Sequence, residues 1–310
     1  MKLQNFIFDI DVTGICNLQC PSCPQGNSKS NRHSPGLMDP ELLERIVRKA
    51  SAECMVKGIN LFNWGEPLLH PEIHSLIRIV HDAAIPCHLS SNLNILPDAD
   101  VLMAANPTSF KISVSGFTQE IYGITHRGGG IERVKRHMAG LAESKKRSKA
   151  TTRIFVNYHR YRHNLIEEPM MRKFADDLGF DFEPVWALML PLEKVLAFLD
   201  EDNAGTPFTD EDRQLIDRLA LPLNAALDLS RKHRDLACRL REQQVSIDFL
   251  GNVQLCCGIF DSRRFSLIPF LDMPLDKIQE IRHDHSLCQR CMKNGAHVYL
   301  TYGAPGIEAL

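Results

Sequence analysis

The chain has 310 residues, is 44% hydrophobic and 24% charged, and carries a formal net charge of -2. That is the composition of a folded soluble protein, and it lacks the basic excess of a nucleic-acid binder. The densest basic cluster, Lys145 to Lys149, reads as the solvated end of a helix. No apolar run is long enough to span a bilayer, and Asp9 and Asp11 interrupt what would have to be a signal-peptide core. A cytoplasmic protein with no nucleic-acid or membrane partner is expected. In that reducing compartment the ten cysteines read as metal ligands or reactive thiols, not disulfides.

An apolar run over 6–12 reads as the first strand, and behind it Cys16, Cys20 and Cys23 form a C-x3-C-x2-C array. Three thiolates are one short of a tetrahedral zinc site or a fully protein-ligated iron–sulfur cluster. Either a distant residue completes the set, or one metal position is left open. Residues 27–33 read as a polar surface loop. Asp39 and Pro40 then open a helix in which Leu42, Leu43, Ile46 and Val47 follow at helical spacing.

Beyond that helix, strands are predicted over 58–63, 86–90, 109–115, 152–158 and 181–188, with helices over 72–83, 98–105, 131–144 and 167–178 between them. Strand followed by helix, repeated five times and ending on a sixth strand, implies an α/β fold with a parallel sheet, closing partway into a (β/α)6 barrel. Ligands in such folds sit at the carboxyl ends of the strands, so the cysteine array falls at the mouth. The rhythm changes over 192–241, where two helical stretches flank a turn over 203–207. A β-hairpin is predicted from 245–249 and 253–257. The expected organisation is a barrel over 1–190, a helical linker over 191–237 and a small domain over 238–310. Cys54 and Cys87 read as small core residues.

C-x3-C-x2-C directly after a first strand resembles the radical S-adenosylmethionine (SAM) superfamily. The resemblance implies a [4Fe–4S] cluster on Cys16, Cys20 and Cys23, whose open iron takes SAM and cleaves it to methionine and a 5′-deoxyadenosyl radical. A zinc knuckle is the alternative. Asn63-Trp64-Gly65-Glu66-Pro67 is similar to the family's GGEP motif, which places Gly65 and Glu66 at SAM's amino group. Ser91, Asn92, Ser113 and Ser115 resemble its ribose and carboxylate contacts, and Arg127 resembles the arginine that pairs with SAM's carboxylate. Two positions depart from the family. Ser22 stands where an aromatic often precedes the third cysteine, and Trp64 replaces the first glycine of GGEP. Asn157, Tyr158, His159 and Arg160 match no family motif and read as an ordinary polar strand end.

Cys238, Cys256, Cys288 and Cys291 complete a four-thiolate set. It resembles the Twitch domain, a shortened relative of SPASM, and implies one auxiliary [4Fe–4S] cluster. A structural zinc ribbon is the alternative. Cys257 is left over. On a strand it would point away from Cys256, toward the barrel mouth, where a thiol is a hydrogen-atom donor. The other readings make it a buried filler, or the ligand in place of Cys256.

The early first motif and the spare thiol resemble the epimerases of aminoglycoside biosynthesis. That resemblance implies a sugar or aminoglycoside substrate, hydrogen abstraction on one face, hydrogen return by Cys257 on the other, and an external reductant such as flavodoxin or ferredoxin. The alternatives are a dehydrogenase of sugar or cyclitol alcohols, a peptide-modifying enzyme, and a non-catalytic zinc protein. Only 15 residues precede Cys16, which leaves no room there for a leader-peptide-binding domain. Asp9, Asp11, Glu183 and Glu193 are candidate partners for an amino sugar, but such residues are more often caps or surface charges. Trp186 and Tyr158 read as core packing.

Overall fold

Phe6, Phe8 and Ile10 alternate with Ile7 and Asp9 along β1 (Asn5–Ile10), so the strand has one apolar face and one partly polar face. The apolar face packs under helices and the other faces inward. The computed structural model describes residues 4–27, 35–199 and 208–302. Most of the surface loop expected over 27–33, and the turn expected over 203–207, lie outside the described residues.

β2 (Met55–Asn60), β3 (Cys87–Ser91), β4 (Ser109–Val114), β5 (Arg153–Arg160) and β6 (Asp181–Trp186) follow β1, all in parallel pairing. Between them run α1 (Pro24–Asn27), α2 (Pro40–Glu53), α3 (Ile73–Asp82), α4 (Ala99–Ala104), α5 (Gln119–Thr125), α6 (Ile131–Ser148) and α7 (Glu168–Asp177). α2 starts where the sequence predicts: the Asp39 carboxylate accepts from the Glu41 N–H at 2.9 Å, and Leu43, Ile46, Val47 and Ala50 form its buried face. α6 ends in Lys145, Lys146 and Arg147, with Lys149 left-handed at φ 54°, as the solvated helix end requires. α5 was not anticipated; Thr118 caps it. β2 begins three residues earlier than the predicted 58–63 and ends earlier. Beyond it the chain turns across the strand ends, where the Trp64 and Gly65 N–H groups donate to the Asp11 carboxylate at 3.0 and 3.1 Å.

The C-terminal part contains α8 (Leu192–Leu199), α9 (Asp210–Arg218), α10 (Leu223–Lys232), α11 (Arg239–Glu242), β7 (Gln244–Ile247), β8 (Asn252–Gln254), α12 (Ser262–Phe265), β9 (Ser266–Pro269), α13 (Leu275–Asp284), α14 (Ser286–Lys293) and α15 (Ala296–Tyr302). One described helix precedes the 203–207 stretch, and α9 and α10 follow it. β7 pairs in parallel with the free edge of β1, and β8 and β9 continue antiparallel. The result is one open sheet of nine strands in the order β6-β5-β4-β3-β2-β1-β7-β8-β9. The α/β fold of the first six strands is thus a partial barrel that does not close, and the hairpin extends it.

Val245, Ile247, Val253, Phe270 and Ile278 share the main core with Phe8, Ile10, Leu43 and Ile59. A second core joins Met189, Leu192, Val195, Leu215, Leu227 and Tyr299. β8 ends at Gln254, short of the predicted 257. The Leu255 carbonyl turns to the Arg282 guanidinium, and Cys256 to Gly258 form a turn in which the Gly258 N–H donates to Cys256 Sγ. Strand alternation therefore does not govern where Cys256 and Cys257 point. Among the described residues no helix is long and apolar enough to cross a membrane.

Phe8 is fully buried and meets Phe270 edge-on, ring centroids 5.6 Å apart, across the junction of β1 with the C-terminal strands. Phe8→Ala is expected to cost about 3–5 kcal/mol, read as a lower denaturation midpoint in urea.

Candidate functional site

The loop after β1 carries Cys16, Cys20 and Cys23 over the carboxyl ends of the strands. Backbone contacts hold it: the Cys23 N–H donates to the Cys20 carbonyl at 3.1 Å, the Gly26 N–H to the Cys23 carbonyl at 2.9 Å, and the Gln19 N–H to the Arg127 carbonyl at 2.8 Å. Gly26 is required by this fold-back, since a Cβ there would lie 2.5 Å from the Cys20 nitrogen. The three cysteines line a cavity of about 290 Å³.

Gly65, Glu66, Ser91, Asn92, Ser113 and Ser115, all singled out from the sequence, line the same cavity. Arg127 does not; its guanidinium bonds Glu211 of α9 at 2.6 Å, near enough to Cys20 to favour that thiolate. Gly65 is close to its own chain: a Cβ there would sit 2.0 Å from the Thr13 carbonyl oxygen. Trp64 explains one departure from the family motif. Its Nε1–H donates to the Ile259 carbonyl at 2.9 Å, and its ring meets Phe260 edge-on at 5.4 Å. The residue that replaces a glycine thus ties this loop to the segment just after Cys257.

Burial pushes the Cys16 thiol up to about 12 and raises Cys20 and Cys23; the neighbouring cysteines raise Cys20 further. Three crowded thiols of this kind ionise when they meet a cationic metal, which fits an iron–sulfur cluster. Glu66 is buried and pushed up to about 7, although it accepts from the Ser91 hydroxyl at 2.8 Å, the Asn92 N–H at 2.9 Å and the Leu68 N–H at 3.1 Å. Those three donors do not offset the loss of water, and an ammonium in the cavity would.

Sequence reasoning missed His126 and Tyr161 and discounted His159. All three line the cavity. Burial lowers His126 to about 3 and His159 to about 4, so both imidazoles are neutral near pH 7. His126 stacks on Tyr122 at 4.6 Å and bonds the Ser115 hydroxyl at 3.2 Å. Tyr161 hydrogen-bonds Ser22. Tyr161, just beyond β5, thus lies beside the residue that precedes the third cysteine. No local pattern announces this, because residues 22 and 161 meet only in the folded chain.

Cys238, Cys256, Cys288 and Cys291 line a second, smaller cavity with Arg241 and Arg282. Cys288 and Cys291 come from one face of α14. Cys256 belongs to this set and Cys257 does not. The Cys257 thiol bonds Cys256, which lowers Cys256 and raises Cys257, and it also reaches the Asp9 carboxylate. Among the described residues, no three His, Cys, Asp or Glu side chains converge closely enough to hold a single metal ion.

Since Glu66 titrates near 7, it is ionised above that pH and neutral below it. An ammonium ligand prefers the ionised form. The affinity of the cluster-loaded protein for SAM is expected to fall up to about tenfold per pH unit below 7, measured by calorimetry from pH 8 to pH 6. Glu66→Gln should bind more weakly and lose that slope.

Residues 10–163 match the family described as Radical SAM superfamily. Streptococcus suis SuiB bound to S-adenosylmethionine is similar at a TM-score of 0.61 and 14% identity, over 92% of this chain and 67% of that one. anSMEcpe with bound AdoMet is similar at 0.57 and 18%, over 92% and 82%. BtrN in complex with AdoMet and 2-DOIA is similar at 0.52 and 15%, over 96% and 90%. At these identities the likeness is one of fold. No curated protein sequence matches the chain. The family match, with Cys16, Cys20 and Cys23 gathered at the strand ends, identifies residues 10–163 as a Radical SAM superfamily domain, for which SAM and a [4Fe–4S] cluster are the implied cofactors.

Proposed function

We propose that the chain is a radical SAM epimerase, inverting a carbon stereocentre of a sugar or aminoglycoside, with Cys257 as the hydrogen donor. The observation that carries this reading is the position of Cys257. It is half-buried, near Asp9 on the inward face of β1, and one residue from the four-cysteine cavity. Asp9 itself bonds Asn60 of β2 at 2.6 Å and Gln244 of β7, which fixes it against the sheet interior.

Cys16, Cys20 and Cys23 would hold the cluster, Glu66 the ammonium of SAM, and Ser91, Asn92, Ser113 and Ser115 its polar edges. Loaded with SAM and an electron from a donor such as flavodoxin or ferredoxin, the site supplies the 5′-deoxyadenosyl radical that abstracts hydrogen from substrate. Cys257 would then return a hydrogen atom to the opposite face, because an S–H bond is weaker than most C–H bonds, and the thiyl radical left on it would take up one electron from the external donor, by way of the C-terminal four-cysteine site, and one proton from solvent. The neutral His126 and His159 offer hydrogen bonds to substrate hydroxyls without adding charge. Cys238, Cys256, Cys288 and Cys291 would hold an auxiliary [4Fe–4S] cluster beside Cys257.

Peptide modification is the second reading. It draws support from SuiB bound to precursor peptide SuiA and from anSMEcpe with the Cp18Cys peptide, both of this fold.

The test is turnover of a panel of aminoglycosides in D2O. An epimerase places one solvent deuterium at the inverted carbon, and Cys257→Ala abolishes inversion while SAM is still cleaved to 5′-deoxyadenosine. Inversion by the Cys257→Ala protein would refute the proposed donor. A ketone formed with one equivalent of 5′-deoxyadenosine would make the enzyme a dehydrogenase.

A further inference from the structure

Arg282, in the last turn of α13, is the largest fully buried side chain among the described residues, 1% exposed. Its guanidinium donates to the carbonyls of Leu255 at 3.1 Å, Gln244 at 2.7 Å and Leu240 at 2.8 Å, and to the Gln279 side-chain oxygen. Every one of these acceptors is neutral. Among the described residues no carboxylate lies within ion-pair distance of it. The groups near enough to offset its charge, were they ionised, are thiols: Cys256, Cys288 and Cys238 of the four-cysteine set, and the neighbouring Cys257. A buried cation without a counter-charge is strongly unfavourable, and four protonated thiols provide none. Four thiolates on an iron–sulfur core do, since the assembly is doubly negative when oxidised and gains one more negative charge when reduced.

Arg241, also lining this cavity, points its guanidinium toward Cys288 while sharing it with Glu242 at 2.8 Å. The site thus carries two guanidinium groups against one cluster, one fully buried and unshared, the other partly neutralised. A fixed positive charge in a dry surrounding favours the more negative of two redox states, and charge and hydrogen bonding around the sulfurs are principal determinants of such potentials.

We propose that Arg282, assisted by Arg241, is the residue that sets the redox poise of the C-terminal four-cysteine site, raising the potential at which an auxiliary cluster there accepts one electron. The proposal rests on the auxiliary-cluster reading given above. It separates two roles for Arg282. As a structural tie alone, it would bind α13 to β7, α11 and the strand end before Cys256. As a source of charge, it acts on the cluster itself.

The experiment uses the full-length chain with Cys16, Cys20 and Cys23 replaced by alanine, reconstituted anaerobically with iron and sulfide so that only the C-terminal site loads. Iron analysis comes first: about four irons per chain and a brown protein are expected. Iron-free or zinc-loaded protein would overturn the auxiliary cluster and this proposal with it. Redox titration with titanium(III) citrate, followed by electron paramagnetic resonance, is then compared for this parent and for Arg282→Gln, Arg282→Lys and Arg241→Gln.

Arg282→Gln should move the midpoint to a more negative potential, Arg282→Lys should stay near the parent, and Arg241→Gln should shift the same way by less. If Arg282→Gln fails to fold or load, Arg282→Lys and Arg241→Gln against the parent decide. Potentials that coincide with the parent in every loaded variant lacking a charge would overturn the proposal, as would an Arg282→Lys shift as large as that of the charge-removing variants.

Discussion

β1 is paired in parallel on both sides, to β2 and to β7, and the placement of every functional side chain follows from that arrangement. Its inward Asp9 bonds both neighbours, Asn60 and Gln244, and so ties the first half of the chain to the last. One turn further on, the Asp11 carboxylate receives the N–H groups of Trp64 and Gly65 and bends the segment after β2 over the strand ends. The cysteine loop that leaves β1 is thereby enclosed between that segment and the residues after β5. The same pairing brings the turn at Cys256 and Cys257 beside Asp9. Two thiol sets more than two hundred residues apart in the chain come to flank one strand.

Burial governs the chemistry of both sets. It raises the thiols of Cys16, Cys20 and Cys23, raises Glu66 to about 7 and holds His126 and His159 neutral. Loading of a metal cluster on Cys16, Cys20 and Cys23 must therefore release protons and is coupled to pH. The first site offers anionic groups to a cationic guest through its thiols and Glu66. The second sets its thiols beside Arg241 and Arg282, whose positive charges favour the thiolate forms of Cys256 and Cys288. The two cavities differ in the sign of what surrounds them, although both present cysteine.

Much of this was legible in the sequence because it is local. The C-x3-C-x2-C spacing, the Asp39-Pro40 helix start and the strand–helix alternation are set within a few residues or one βα unit. So were Glu66, Ser91 and Asn92, which follow strand ends where ligands collect. What was not legible is non-local. Nothing near Gln244 says that its strand will extend the free edge of β1, since edge pairing depends on which edge is open in the folded sheet. β8 stops early because the Leu255 carbonyl is taken by Arg282, some thirty positions later. Tyr161 comes beside Ser22, and Trp64 finds Ile259 and Phe260, across distances that no window along the chain spans. Arg127 was singled out by its resemblance to the family's carboxylate-pairing arginine, but in the fold its guanidinium is held by Glu211.

The central claim is that Cys16, Cys20 and Cys23 hold a cluster with one position open to SAM. It is tested most directly by electron paramagnetic resonance of the anaerobically reconstituted, reduced protein before and after SAM is added. The account predicts a cluster signal whose g-values shift on SAM addition, and the loss of that SAM-responsive signal in Cys20→Ala. A protein that takes up zinc instead of iron, or a spectrum that SAM leaves unchanged, would contradict it.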